Sequence, residues 1–204
     1  MRQLLITIMV LSLSFSVYGQ RSYRERTPDV PKFQTPLFAV KSNLLYDFTA
    51  TLNLGVEYRL SPSTTLDLSV NYNPWTYSDN KKFKHLLIQP EYRWWFYESF
   101  YGHYLGAHLL YSHYNVGGIE LPLEIYPSLI TSRYQGDLIG FGVSYGYQWY
   151  LGRRWNLEGT LGAGYVYSSY KEYECQHCGA ELGSGSKNYI GITKLGISLV
   201  YIIK

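Results

Sequence analysis

Apolar and polar residues alternate along most of the chain after residue 36. The segment 52–60 shows the pattern in full, because every second residue is apolar and the residues between them are small, polar or charged. Its apolar set is Leu52, Leu54, Val56, Tyr58 and Leu60. A period of two residues is typical of a β-strand with one apolar and one polar face. The segments 65–73 and 137–151 repeat it, so the pattern predicts strands with two different faces.

Eight segments carry this strand pattern: residues 37–48, 52–60, 65–73, 85–97, 102–115, 137–151, 155–171 and 188–204. After a brief first connection at 49–51, short and long connections alternate. The short ones are 61–64, 98–101 and 152–154, and the long ones are 74–84, 116–136 and 172–187. Membrane barrels have short turns on one side and longer loops on the other. We therefore expect an all-β fold, an eight-stranded antiparallel up-and-down transmembrane β-barrel that occupies residues 37–204.

The positions of glycine and the number of tyrosines favour a membrane barrel over a soluble β-sandwich. Gly140, Gly142 and Gly146 lie on the polar face of the sixth predicted strand, and glycine at inward positions suits the tight curvature of a narrow barrel. Tyrosine occurs 23 times against 8 Phe and 5 Trp, and such rings suit a membrane–water interface. Two girdles are expected at the strand ends. One comprises Trp94, Phe96, Tyr101, Trp149, Trp155 and Tyr201, and the other Tyr72, Tyr111, Tyr165 and Tyr167.

The amino-terminal residues indicate export. Residues 1–19 combine a basic start at Arg2 with an apolar run and end at Gly19, which is typical of a cleaved signal peptide. Residues 20–36 are polar and contain three prolines, which predicts a flexible periplasmic leader. Beyond the signal, no apolar stretch approaches the roughly 18 residues that a membrane helix needs. Strands would therefore have to cross the membrane.

The carboxy-terminal residues look like the sorting signal that ends bacterial outer-membrane β-barrels. Lys194, Gly196, Leu199 and Tyr201 stand where that signal has a polar residue, a glycine and two spaced apolar or aromatic residues. The resemblance implies a location in the bacterial outer membrane. It also implies contact with outer-membrane lipid and lipopolysaccharide, and recognition by the barrel assembly machinery.

Three runs in the predicted strands carry a family resemblance. They are residues 41–47 (Lys-Ser-Asn-Leu-Leu-Tyr-Asp), 146–149 (Gly-Tyr-Gln-Trp) and 155–158 (Trp-Asn-Leu-Glu). The chain resembles small, OmpA-like outer-membrane barrels of Bacteroidota that are catalogued as a domain of unknown function. Members are often encoded near fimbrial genes, which implies a context of fimbrial assembly. The resemblance implies no catalytic residue and no cofactor.

Charged residues and one histidine on the polar strand faces are the strongest candidate constellation. They are Lys41, Asp47, Glu57, Arg59, Asp67, Glu91, Arg93, His108, Glu158 and Lys194. A three-residue turn at 62–64 would put Arg59 opposite Asp67. A four-residue turn at 98–101 would put Glu91 opposite His108 and Arg93 beside Gly106. Buried charges are costly unless they are paired, which favours a salt-bridged plug. A proton or ion path is the alternative.

Two smaller groups suggest other chemistry. His103, His108 and His113 with Ser112 resemble the residues of outer-membrane lipid A deacylases and palmitoyltransferases, although the sequence places no acidic partner and packing roles are the alternative. Cys175 and Cys178 flank His177 in the last long connection. A disulfide, two free thiols, metal capture or covalent exchange with a partner all fit this spacing. A structural zinc site would need four ligands.

The longest connection is unusually apolar for a loop. Within residues 116–136 it contains Ile119, Leu121, Leu123, Ile125, Tyr126 and Leu129. Exposed apolar patches often mark protein contacts, so we expect binding of fimbrial or other surface proteins. Alternatively, the loop covers the barrel mouth, extends the strands or contacts lipopolysaccharide. The net charge of +3 with scattered basic residues excludes a nucleic-acid footprint.

Together these features predict a non-enzymatic outer-membrane barrel with a plugged lumen, acting in structure or surface interaction. A lipid A-modifying acyl hydrolase or acyltransferase and a narrow channel are the alternatives.

Overall fold

A computed structural model of the chain describes residues 36–76, 82–118, 132–174 and 179–203. The strands are β1 (Phe38–Asn43), β2 (Leu52–Ser61), β3 (Thr64–Asn73), β4 (Lys82–Trp95), β5 (Gly102–Gly117), β6 (Ser132–Gly152), β7 (Trp155–Glu174) and β8 (Glu181–Ile203), with one short helix, α1 (Leu44–Phe48), after β1. Each strand is antiparallel to the next, and β1 also pairs with β8, so the sheet closes into a ring. The prediction of an all-β, eight-stranded, antiparallel up-and-down fold is confirmed. In the described part of the chain, no helix is long and apolar enough to span a membrane.

The alternation seen in the sequence separates the inside of the ring from the outside. On β6, Phe141 and Val143 point outward and are 59% and 67% exposed, whereas Ser144 points inward and is 3% exposed. On β8, Leu195 and Ile197 are exposed and Gly196 is buried. The apolar faces of the strands therefore form the outer surface, and the polar faces form the interior.

The predicted first strand is too long, because the chain leaves the sheet at Asn43. The Asn43 side chain accepts a hydrogen bond from the backbone N–H of Leu45 at 3.1 Å and so caps the amino end of α1. The same oxygen accepts from the backbone N–H of Ile197 at 3.2 Å. One side chain thus ends β1, begins the helix and ties both to β8.

The strands differ greatly in length around the ring. β1 to β3 have 6, 10 and 10 residues, whereas β6 to β8 have 21, 20 and 23. β4, β6 and β8 begin several residues earlier than predicted. Their first residues fall in the predicted long connections but pair with β5, β7 and β7, respectively. Both faces of these extensions are largely polar, so they lack the alternation that reveals a half-apolar strand.

Aromatic residues close the interior at the end of the ring that carries the short turns. Phe100 lies in the β4–β5 turn with a left-handed φ of 69° and is 3% exposed. Its ring centroid is 6.2 Å from that of Trp95, which lies 4.8 Å from Tyr104. Asn156 on β7 donates to the Phe100 carbonyl at 2.9 Å. The β4–β5 turn is thereby folded into the barrel and fills the end that carries the short turns.

Candidate functional site

Seven charged side chains in the described part of the chain meet inside the ring, next to the aromatic layer. We call them the ion network: Lys41 of β1, Glu57 of β2, Asp67 of β3, Glu91 and Arg93 of β4, Glu158 of β7 and Lys194 of β8. Each is at most 11% exposed. The network therefore combines three cations with four carboxylates and connects strands from both ends of the chain.

Arg93 lies at the centre of the ion network. Its Nη1 donates to Glu57 at 2.9 Å and to Glu158 at 2.8 Å. Its Nε donates to Glu91 at 2.6 Å, and its Nη2 donates to Asp67 at 3.3 Å. The guanidinium thus contacts all four carboxylates, as its planar set of five N–H donors permits. Its carbon also lies 4.4 Å from the centroid of the Tyr104 ring, a cation–π contact.

Two lysines complete the charge pairing from opposite sides. Lys41 Nζ lies 2.5 Å from Glu57, 3.1 Å from Asp67 and 3.3 Å from Glu158. Lys194 Nζ lies 2.9 Å from Glu91 and 3.6 Å from Asp67. Each carboxylate therefore has at least two cationic neighbours, which offsets the cost of removing it from water.

Neutral inward residues that the sequence analysis did not single out supply further hydrogen bonds. Thr65 donates to Glu57, Ser144 donates to Glu91 at 2.5 Å, and Thr160 donates to Glu158 at 3.1 Å. All three stand at inward positions of their strands. The alternation of faces could have identified them once the register was known.

Two of the charged residues predicted for the ion network lie outside it. Asp47 belongs to α1, where it is exposed and accepts hydrogen bonds from Ser42 at 2.8 Å and Asn53 at 2.6 Å. Arg59 stands opposite Thr65, not Asp67, because the turn has two residues and a bulge lies between Arg59 and Ser61. It donates to the Ser61 carbonyl at 3.1 Å and lies 3.9 Å from Glu98. Glu57 takes the place opposite Asp67.

The predicted register between β4 and β5 is confirmed. Glu91 stands opposite His108, and Arg93 stands opposite Gly106. His108 lies at the margin of the ion network, with its Nδ1 3.8 Å from Glu91 and its Nε2 2.9 Å from Thr193 Oγ1. A Cβ atom at Gly106 would lie 2.6 Å from the Glu91 carboxylate and would also collide with the Ser144 hydroxyl. Glycine at this position therefore makes room for the ion network.

Among the described residues, the two sides of the ion network differ in how far side chains fill the interior. On the side next to the short turns, the buried rings of Trp95, Phe100 and Tyr104 fill the interior. On the other side, the described residues of β4 to β8 line a cavity of about 690 Å³. In that half, Gly140, Gly142 and Gly164 contribute no side chain to the inner wall.

The histidines and the serine of the hydrolase resemblance do not come together. His113 lies on the outer face of β5 and pairs with Asp137 at 2.9 Å, and Tyr111 donates to the same oxygen at 2.8 Å. Ser112 is buried on the inner face of that strand. His103 faces outward near the short turns and bonds the Tyr145 hydroxyl. A nucleophile needs its base within hydrogen-bond reach, and these residues do not provide such a pair.

The remaining candidates fall into two groups. Lys194 and Gly196 face the interior, while Leu199 and Tyr201 lie on the outer face of β8. The signal peptide, the leader through residue 35, the apolar loop residues (Ile119, Leu121, Leu123, Ile125, Tyr126 and Leu129) and the pair Cys175 and Cys178 lie outside the described residues. Among the residues that are described, no three His, Cys, Asp or Glu side chains form a group that could hold a metal ion.

The chain belongs to the family described as protein of unknown function, DUF3575, whose model matches residues 5–203. This match confirms the resemblance to a domain of unknown function. No curated protein and no solved structure gives a significant match to the chain.

Proposed function

We propose that this DUF3575 protein is an integral barrel of the bacterial outer membrane, and the reversed distribution of polarity supports this most directly. The outer surface carries exposed apolar side chains on every strand, while charged side chains are buried inside. Examples are Leu54, Leu68, Tyr92, Leu109, Phe141, Leu161 and Leu195. A surface of this kind associates in water. In a bilayer it is the expected outer face of a membrane barrel.

The position of aromatic residues supports the same proposal. Trp155 and Tyr167 lie twelve residues apart on the outer face of β7. At about 3.3 Å per residue and a strand tilt of roughly 40°, their separation along the barrel axis is about 30 Å. The apolar belt between them corresponds to the thickness of a hydrocarbon core.

The ion network supports a non-enzymatic role with a closed lumen. Arg93 and its partners cross the interior from β1 to β8, and the aromatic layer lies beneath them. An ion that moved through would have to break several short contacts between opposite charges. We therefore propose that the barrel is a structural element of the membrane and conducts no steady ion current, in place of the channel alternative.

The membrane context of the proposal rests on the resemblances in the sequence. Lys194, Gly196, Leu199 and Tyr201 would serve as the signal for the barrel assembly machinery, and the outer surface would contact lipid and lipopolysaccharide. We also propose that the protein is an OmpA-like barrel of Bacteroidota that acts in the context of fimbrial assembly. The apolar loop residues, Ile119 to Leu129, would bind the fimbrial or other surface protein.

Fractionation and conductance measurements test the membrane proposal. The protein should appear in the outer-membrane fraction, need detergent for solubility, and migrate differently on a gel before and after boiling. Reconstituted in planar bilayers, it should give no stable open conductance. A detergent-independent monomer would contradict membrane insertion, and large steady pores would contradict the closed lumen.

A loop-replacement strain tests the surface role, and a deletion strain tests the enzyme alternative. Replacing residues 121–130 by a Gly/Ser linker should leave a heat-modifiable barrel and reduce fimbrial display or adhesion. A full deletion should leave the lipid A mass profile unchanged. Unchanged display with a folded barrel would contradict the surface role, and a lost or gained acyl group in lipid A would support the enzyme.

A further inference from the structure

The cavity on the open side of the ion network has the dimensions of a ligand site. Its volume of about 690 Å³ lies within the range of roughly 300 to 1,000 Å³ that is usual for small-molecule pockets. On β5 its lining runs from Leu110 to Val116, six residues apart, or about 20 Å at about 3.3 Å per residue. The cavity therefore extends along the strands as well as around the wall from β4 to β8.

Apolar side chains dominate the deeper part of the cavity. Leu110, Leu87, Leu138 and Val166 stand on four neighbouring strands within two residue levels of one another. Gly140, between Leu110 and Val166 in the register, adds no side chain to this wall. Tyr189 on β8 faces the same space and is 45% exposed. This part of the lining suits a hydrocarbon group.

A hydrogen-bonded floor separates the cavity from the ion network. The bulge between Gly162 and Ala163 in the β7–β8 register falls at Thr193 on β8. The Thr193 carbonyl accepts from the Gln89 amide at 3.1 Å, and its hydroxyl bonds His108 at 2.9 Å. Gln89 and His108 are both nearly fully buried. A ligand in the cavity would meet this polar layer at its inner end, so its apolar end belongs against the leucines above that layer.

Polar groups and one charge lie nearer the rim. The hydroxyl groups of Tyr114 on β5 and Ser168 on β7 bond each other across β6 at 2.8 Å. His85 pairs with Tyr114 in the register, and Tyr170 lies one inward position beyond Ser168 on β7. Among the described residues that line the cavity, the formally charged one is Lys187 of β8. A ligand with an anionic end would place that end here, where a cation and hydroxyl donors face it.

We infer that the cavity binds a single-chain anionic amphiphile of the fatty-acid class. The hydrocarbon chain would lie against Leu87, Leu110, Leu138 and Val166, and the carboxylate would lie at Lys187. The residues of the cavity come from β4 to β8, and the described residues of β1 to β3 do not line it. This site goes beyond the structural role proposed above.

Equilibrium binding of radiolabelled laurate to the full chain in lipid nanodiscs tests the inference, with protein-free nanodiscs subtracted. We expect saturable binding of about one laurate per chain. Leu138→Trp fills the cavity and should weaken laurate binding at least tenfold. Ile139→Trp is the matched control, because the neighbouring residue points outward and is 61% exposed, and it should bind as the unsubstituted protein does. Equal binding by both variants, or no excess over empty nanodiscs, would overturn the inference.

The head-group assignment has its own test. Lys187→Gln should weaken laurate binding several-fold and leave binding of uncharged dodecanol unchanged, because only the carboxylate interacts with the ammonium group. Equal effects on both probes would overturn the assignment of the charged end. Heat-modifiability of each variant shows that the barrel is folded, so a loss of binding is not a loss of fold.

Two further arms distinguish other occupants. If nanodiscs of anionic phospholipid abolish laurate binding while zwitterionic nanodiscs allow it, the cavity takes a membrane lipid chain and the fatty-acid assignment is wrong. If laurate binds only after residues 121–130 are replaced by a Gly/Ser linker, the chain itself fills the cavity and the inference is wrong. Binding in both lipids and in the unsubstituted protein supports the proposal.

Discussion

Glu57 and Asp67 stand directly opposite each other on β2 and β3, so that two carboxylates of like charge form an inward cross-strand pair. Such a pair destabilises a sheet unless cations separate or bridge it. Arg93 contacts both at 2.9 and 3.3 Å, and Lys41 contacts both at 2.5 and 3.1 Å. The stability of this part of the barrel therefore depends on the cations more than on any single ion pair.

Arg93→Met should strongly destabilise the barrel. The substitution leaves four buried carboxylates with two lysines, and removing one partner from a buried ion pair costs about 3 to 5 kcal/mol. We expect a loss in the free energy of unfolding at least that large, measured by urea titration of the protein in lipid with heat-modifiability as the readout. Arg59→Met is the matched control. Its ion pair with half-exposed Glu98 is long, at 3.9 Å, so its loss should be within about 1 kcal/mol.

Coupling between Arg93 and Glu158 should appear in a double-mutant cycle. Glu158→Gln removes one charge that Arg93 contacts through two of its nitrogens, at 2.8 and 3.1 Å. In the Arg93→Met background, the same change removes a carboxylate that has lost its main partner. The double variant should therefore be more stable than the sum of the two single losses predicts. Additive losses would contradict direct contact between these side chains.

Gly106→Ala should destabilise the barrel, although alanine is the smallest possible addition. The new methyl group would lie 2.6 Å from the Glu91 carboxylate, which is held by Arg93, Lys194 and Ser144 and cannot easily move. Gly152→Ala is the control, since a Cβ atom there has no neighbour within 4 Å. We expect a lower urea midpoint for Gly106→Ala than for Gly152→Ala. Equal midpoints would show that the ion network can rearrange around the methyl group.

Phe141→Arg should impair membrane insertion or stability. Phe141 lies in the middle of the outer apolar belt and is 59% exposed, and a cation at the midplane of a membrane barrel costs about 2 to 4 kcal/mol. Ser169→Arg is the control, because Ser169 is exposed on β7 opposite Asp137, above that belt. Folding yield into vesicles and the urea midpoint measure both. A tolerated Phe141→Arg would contradict lipid contact at this position.

The strand count, the two faces and most members of the ion network were predictable from the sequence. Each depends on a period of two, which local residues determine, and inward parity alone identifies Lys41, Glu57, Asp67 and Glu158. The partner of Asp67 was not predictable, because one bulged residue near Ser61 changes which residues face each other. The end of β1 was missed because Asn43 is bonded by a residue 154 positions away. The cavity was missed because the same glycines that fit a narrow filled barrel also leave space in it.

The ion network joins residues that are far apart in the chain, and this separation affects how the barrel can form. Lys41 reaches Glu158 across 117 positions, and Lys194 reaches Glu91 across 103. Before β8 arrives, Glu91 lacks Lys194, and the other carboxylates cannot be fully enclosed. Water must therefore stay in the interior until the last strand pairs with the first. Ring closure and the exclusion of water from the ion network then become a single late step, and a chain that stops short of β8 would keep these charges hydrated and would be open at its edges.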